Sequence, residues 1–278
     1  MPDPTVQPAT AKPPAIEMDG IAASSGGYEI LADVSVAFPE GRCSVVMGGA
    51  GSGKSTLLKV AAGLIVPDRG TVRFRGTDMA HFSRADELAF RATTGYVFQD
   101  AALWSDTNIL GNVAMPLRVH KHWMGESDIA EAVRVLMKRL GYDEGMAIRP
   151  AELSMGEQKL VGIARAVIHD PSVLFMDDPT SNLDEDASER VFELIGELKA
   201  KKKTIIVLAN SSELAYRFAD MLGIIKGRTL AAFGTYESTV ETAESGLGAS
   251  LARLRARGIR GSGIPERGSG ENSAQGDV

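Results

Sequence analysis

The chain has 278 residues, 44% hydrophobic and 24% charged, proportions of an ordinary globular protein that exclude collagen-like, low-complexity and wholly disordered chains. Thirty Lys and Arg against 36 Asp and Glu leave a formal charge of −6. This is the opposite of the bias expected for duplex binding, so no nucleic-acid partner is expected. The one cysteine, Cys43, lies in an apolar run and provides neither a disulfide framework nor a thiolate metal cluster, as suits a reducing, cytoplasmic compartment.

The Pro-rich start (Pro2, Pro4, Pro8, Pro13, Pro14) lacks the apolar segment of a signal peptide, and residues 1–15 read as a disordered leader. From residue 16 to 234, short apolar runs alternate with helical patterns. Residues 43–47, 71–74, 95–98, 173–176, 204–208 and 222–225 are expected strands. Several are apolar at every position, the pattern of a sheet covered on both faces by helices. Residues 101–165 are almost wholly helical in pattern, with Ile129, Ala130, Val133, Val135, Leu136 and Leu140 read as one apolar face, which suggests a helical subdomain inserted in an α/β core. Residues 235–278 become Gly/Ser-rich and read as a largely disordered tail, in which Arg253, Arg255, Arg257 and Arg260 suit a solvated segment better than a lipid contact. No apolar stretch approaches the roughly 18 residues of a membrane-crossing helix, so any membrane role is expected to come through a partner.

Gly48-Gly49-Ala50-Gly51-Ser52-Gly53-Lys54-Ser55 matches G-x-x-x-x-G-K-[ST] between an expected strand and a helical pattern that opens at Thr56. Glycines let the backbone turn its N–H groups around phosphates, and the N-terminus of the following helix adds its positive end. Lys54 is expected against the β- and γ-phosphates, and the Ser55 hydroxyl on Mg²⁺. A second element is needed to hold the metal, and the apolar run 173–176 delivers Asp177 at its end. Asp178-Pro179-Thr180-Ser181-Asn182-Leu183-Asp184 follows it directly. ATP with Mg²⁺ is the expected ligand.

In these motifs the sequence resembles the ATP-binding subunits of ABC transporters. Leu153-Ser154-Met155-Gly156-Glu157 resembles the family signature LSGGQ, with two substitutions, and is followed by Ile163-Ala164-Arg165-Ala166. Gln99 resembles the glutamine that reaches the metal and the attacking water, and residues 181–184 resemble the loop at the dimer seam. The resemblance implies a P-loop NTPase with a RecA-like core, an antiparallel β edge and an inserted helical subdomain. It also implies a second ATP-binding subunit, identical or not, whose phosphates Ser154 and Gly156 contact, and a transmembrane permease that holds the chain on the cytoplasmic face of the inner membrane. Residues 98–120, with Asn112-Val113-Ala114, Pro116-Leu117-Arg118 and His120, are similar to the ATPases of Mce-type, Mla-like lipid transporters. Phospholipid is the cargo this implies, although amino-acid and metal importers share part of the pattern.

Three positions depart from the family. Asp178 stands where a catalytic glutamate is usual, one methylene shorter; Asn210 stands at the switch-histidine position; and Ser25 replaces the adenine-stacking aromatic, with Tyr28 three residues on. Asn210 can donate a hydrogen bond but cannot take a proton. Tyr28 is either a stacking residue reached by a loop shift or an ordinary strand-edge tyrosine. Slow hydrolysis is therefore expected, and the rival reading is an ATP-gated regulatory or structural module. A soluble DNA-repair or translation protein of the family is less suited to a single cassette of this length. His81, His120, His122 and His169 have no carboxylate or thiol cluster beside them and are read as surface residues rather than ligands.

Overall fold

The computed structural model describes residues 12–210 and 212–242. Most of the expected leader and tail lies outside them, but Ala15 is buried and donates its N–H to Phe38 O. In chain order the elements begin with β1 (Ile16–Ser25), β2 (Tyr28–Phe38), β3 (Cys43–Gly48) and α1 (Lys54–Ala61). Next come β4 (Arg69–Phe74), β5 (Thr77–Asp78), α2 (Arg84–Thr93) and β6 (Thr94–Val97). The helical stretch holds α3 (Ile109–His120), α4 (Glu126–Arg139) and α5 (Met155–Val167). After it follow β7 (Val173–Asp177), α6 (Glu185–Ala200), β8 (Thr204–Leu208), α7 (Ser212–Phe218), β9 (Met221–Lys226), β10 (Thr229–Thr235) and α8 (Tyr236–Thr242).

Two sheets form. A six-stranded sheet has the order β10-β9-β3-β8-β7-β6 and is parallel except for the edge strand β10. A four-stranded antiparallel sheet has the order β2-β1-β4-β5. The run at 71–74 thus belongs to the antiparallel sheet, whereas the other five expected strands all lie in the large one.

Alternate residues of the central strands feed two separate cores, as the period-2 pleat dictates. Val45, Met47, Leu174, Met176, Ile205 and Val207 pack with the helical subdomain and α5 to α7. Val46, Val173, Phe175, Ile206 and Leu208 pack with α1 and the antiparallel sheet. A strand with an apolar core on each face must be apolar at every position, the pattern read from the sequence.

The helix starts follow local chemistry. Ser83 and Asp86 form a capping box at α2, Asn108 accepts from Gly111 N at 2.8 Å to open α3, and Asp184 accepts from Ala187 N at 2.7 Å to open α6. In α3 the fully buried Asn112 side chain accepts from Trp104 N at 2.9 Å and donates to Trp104 O and Thr107 O. That amide shapes the loop before the helix, so part of the Asn-Val-Ala pattern is a folding requirement.

Candidate nucleotide site

Because β3, β6, β7 and β8 run parallel and end at one edge of the sheet, their C-terminal residues deliver the phosphate loop, Gln99, Asp177, Asp178 and Asn210 to one place. Ligands of open α/β sheets bind at this edge. A cavity of about 340 Å³ there is lined by residues 50–56 together with Ile30, Gln99, Asp177, Asp178, Leu208 and Asn210.

The loop between β3 and α1 is tightly built. A Cβ at Gly48 would lie 2.6 Å from Ile225 O, and Gly53 has φ +96 with Ile30 O 2.8 Å from where a Cβ would sit. Side chains at these two positions would force the loop open. Lys54 Nζ donates to Gly48 O at 2.8 Å and Gly49 O at 2.9 Å, folding the lysine back along the loop. Burial pulls its pKa below the ordinary lysine value, and the carboxylates of Asp177 and Asp178 pull the other way. Unlike α2, α3, α5 and α6, helix α1 begins with no side chain capping its N–H groups, and the Ser52 hydroxyl is buried without a partner. Uncapped helix N–H groups, a spare hydroxyl and a lysine fit a phosphate chain.

Asp177 is buried at the end of β7. Burial raises its pKa, the nearby Ser55 hydroxyl lowers it, and the neighbouring charge of Asp178 raises it. A hydroxyl against a carboxylate, with Gln99 on the same cavity, is an oxygen donor set that suits Mg²⁺, which keeps several waters of its own. Among the described residues there is no group of three His, Cys, Asp or Glu side chains able to hold a metal ion.

Asp178 has φ +46, uncommon for a residue with a side chain. Its N–H donates to Leu208 O at 3.1 Å, and its carbonyl accepts from Ser181 Oγ at 2.9 Å. Asn210 Nδ2 donates to Asp178 Oδ2 at 2.7 Å, joining two of the residues that depart from the family pattern.

Other expected residues lie apart from the cavity. Ser154 accepts from Glu157 N at 3.2 Å in a capping box at the start of α5, and neither it nor Gly156 lines the cavity. A Cβ at Gly156 would lie 3.0 Å from Asn182 O, so the signature segment rests on the loop after Asp178. Tyr28, 78% exposed, opens β2 opposite Ser25 and does not line the cavity; Ile30, two residues on, does. His169 is a correction to the surface reading: it is buried, with Nε2 on Thr94 O at 3.0 Å, its Nδ1 without a partner and its ring 5.6 Å from that of His120. Sequence reasoning also passed over Lys159, 1% exposed, whose only signal was a lysine beside an apolar helical run.

Fold and site together define a P-loop nucleotide-binding domain of the ATPase type. The family model described as ABC transporter matches residues 31–181, and the chain belongs to that family, whose members bind ATP. The chain is 34% identical over 224 residues to the probable ribonucleotide transport ATP-binding protein mkl of Mycobacterium leprae, covering 80% of this chain and 64% of the relative. It is 35% identical over 225 residues to the protein of that name from Mycobacterium tuberculosis strain H37Rv, covering 80% and 62%. The chain therefore spans somewhat less than two thirds of the length of these relatives. Among solved structures, the dimeric post-hydrolysis state of the ATP-binding cassette MJ0796 bound to ADP and Pi aligns with a TM-score of 0.74 at 25% identity, over 80% of this chain and 98% of that one. The cassette cbiO1 from Clostridium perfringens, at 24% identity and a TM-score of 0.67, shares the fold.

Proposed function

We propose that the chain is the ATP-binding and ATP-hydrolysing subunit of an ABC transporter, acting on a separate membrane permease that carries phospholipid. The observation that supports this most is the convergence of Lys54, Ser55, Gln99, Asp177, Asp178 and Asn210 at one cavity beside the uncapped start of α1.

In this reading the N–H groups of residues 50–56 and the Lys54 ammonium bind the phosphates, while Ser55, Asp177 and Gln99 hold Mg²⁺. The metal, when bound, neutralises charge on the transferring phosphoryl group. Asp178 orients and deprotonates the attacking water, and Asn210 holds Asp178 in place. Tyr28 lies on the strand that brings Ile30 to the cavity, and it is the aromatic side chain assigned to stack on the adenine. Ser154 and Gly156, on a helix N-terminus away from this cavity, are assigned to the site of a second ATP-binding subunit, so that closure of two subunits completes each site.

No described helix is long and apolar enough to cross a membrane. Exposed Trp104, Met115, Val119 and Trp123 on and beside α3 are apolar surface suited to a permease, which would hold the chain at the cytoplasmic face of the inner membrane. The phospholipid assignment rests on the Mce-type resemblance of residues 98–120, and the name of the mycobacterial relatives carries a different cargo, ribonucleotides. Affinity purification from the native membrane, with identification of the co-purifying permease and of bound lipid or nucleotide, tests the proposal. Recovery of the chain without any membrane protein would overturn it. The Asp178–Asn210 pair favours a second reading, an ATP-gated module with negligible turnover, which the purified complex would reveal as nucleotide binding without phosphate release.

A further inference from the structure

Helix α5 carries a lysine that the reaction outlined above does not use. Lys159 is 1% exposed, and its Nζ donates to Phe98 O at 3.2 Å, to Gln99 O and to Asp178 O at 3.3 Å. An ammonium group has three donors and no acceptor, so three carbonyls satisfy it completely. Two of those carbonyls belong to Gln99 and Asp178, which line the nucleotide cavity.

The same face of α5 grips the rest of this loop. Gly162, three residues on, lets the helix close on residue 101, with Ala101 Cα 3.2 Å from where a Cβ would sit. Arg165, three further on, donates to Ala101 O at 2.7 Å and Ala102 O at 2.9 Å. Ala101 and Ala102 have φ of +61 and +46, backbone that alanine adopts only when its surroundings enforce it. Positions i, i+3 and i+6 follow one row of neighbouring side chains along a helix surface. At its N-terminal end α5 is capped by Ser154, and Gly156 in its first turn rests on Asn182 O.

The geometry points to Lys159 as a positioning residue for hydrolysis: it ties the backbones of Gln99 and Asp178 to each other and to the helix that starts at the signature segment. The inference rests on the nucleotide-site reading above and extends it. A buried ammonium costs free energy unless paired. Three converging carbonyls, with the carboxylates of Asp178, Asp177 and Asp100 nearby, supply that pairing. A methionine would fill similar space but take the ammonium from all three carbonyls; Phe98 O would keep Ala101 N and Asp178 O would keep Ser181, yet the two cavity residues would no longer be tethered to each other. Lys159 does not line the cavity, so nucleotide affinity should survive its loss, whereas a misplacement of about 1 Å in a reacting group can cost on the order of 10²-fold in rate.

The test compares the full-length wild-type chain with Lys159→Met and Lys159→Gln, the latter keeping two N–H donors. Four quantities are measured: Mg-ATP dissociation constant, kcat, melting temperature and amide exchange. Lys159→Met is expected to lower kcat between about 10- and 100-fold, with the dissociation constant within about threefold of wild type. Exchange should quicken at residues 98–102 and 178–181 while the β3 amides stay protected, and Lys159→Gln should fall between wild type and Lys159→Met. If Lys159→Met does not fold, Lys159→Gln decides alone: a kcat loss of at least about fivefold with retained binding supports the inference. An unchanged kcat in either folded variant overturns it, as does loss of binding and rate together in proportion to the unfolded fraction. A wild-type chain that binds no Mg-ATP overturns the nucleotide-site reading and this inference with it. Failure of the inference alone leaves wild-type binding, and its dependence on Lys54, intact.

Discussion

Asn210→Ala removes the side-chain donor that Asp178 has at 2.7 Å. A hydrogen bond to a charged group contributes about 1.5–3 kcal/mol, and this one lies at an exposed position, which places it at the lower end of that range. About 1.4 kcal/mol corresponds to tenfold. If the bond's role is to keep the carboxylate aimed at the water, its loss should appear as about a tenfold fall in kcat. The KM for Mg-ATP should stay within about threefold, because the phosphate contacts assigned to residues 50–56 are untouched. The assay is steady-state phosphate release from the purified complex across a range of Mg-ATP concentrations, with a thermal melt to confirm folding. A folded Asn210→Ala protein with wild-type kcat would refute the view that Asn210 orients Asp178, and would leave this asparagine a bystander at the cavity rim.

Lys54→Ala should weaken Mg-ATP binding at least about 100-fold, measured by calorimetry, since it removes the proposed cation for the β- and γ-phosphates; charge-assisted contacts are each worth about 1.5–3 kcal/mol. Asp178→Glu with Asn210→His should raise kcat more than the sum of the single changes, because the 2.7 Å contact matches the present pair and each single change disturbs it; additive effects in the double-mutant cycle would count against coupling. Trp104→Glu should release the chain from the proposed permease in a membrane pull-down without altering nucleotide affinity, Trp104 being half exposed beneath the Arg165 guanidinium, 5.4 Å from its ring centroid. Burial depresses the pKa of His169 below the ordinary histidine value of about 6.5. The folded state therefore binds fewer protons than the unfolded state near that pH, and stability present above it is lost as pH falls through it. Melting temperature should drop between pH 7.5 and 5.5, with a shallower slope in His169→Gln; equal slopes would show that this imidazole is not the group responsible.

The features legible in the sequence alone are local in origin. The strand–loop–helix from Cys43 to Ala61 is legible because glycines, a lysine and a serine at fixed spacing have one efficient use, wrapping phosphate at a helix start. The apolar runs of β7 and β8 are legible because a strand buried on both faces leaves polar residues only at its ends, Asp177 in β7 and Thr204 in β8. The antiparallel strands β1 and β2 were harder to see, because register shifts between Met18 and Ala23 break the alternation that would announce them.

Tertiary structure decided the rest, because the deciding contacts join residues far apart in the chain. The bond between Asn210 and Asp178 spans 32 positions, and that between Lys159 and Gln99 spans 60. Nothing in the residues around Lys159 specifies that three carbonyls converge on its ammonium, and nothing around His169 specifies that Thr94 O meets its imidazole. Whether a polar side chain is solvated or buried depends on what the sheet and helices bring against it, and a buried one persists only where partners are supplied from elsewhere in the fold. Ser154 illustrates the same limit: its local sequence is sufficient for a helix cap, and only packing places that cap beside Asn182 and apart from the phosphate loop.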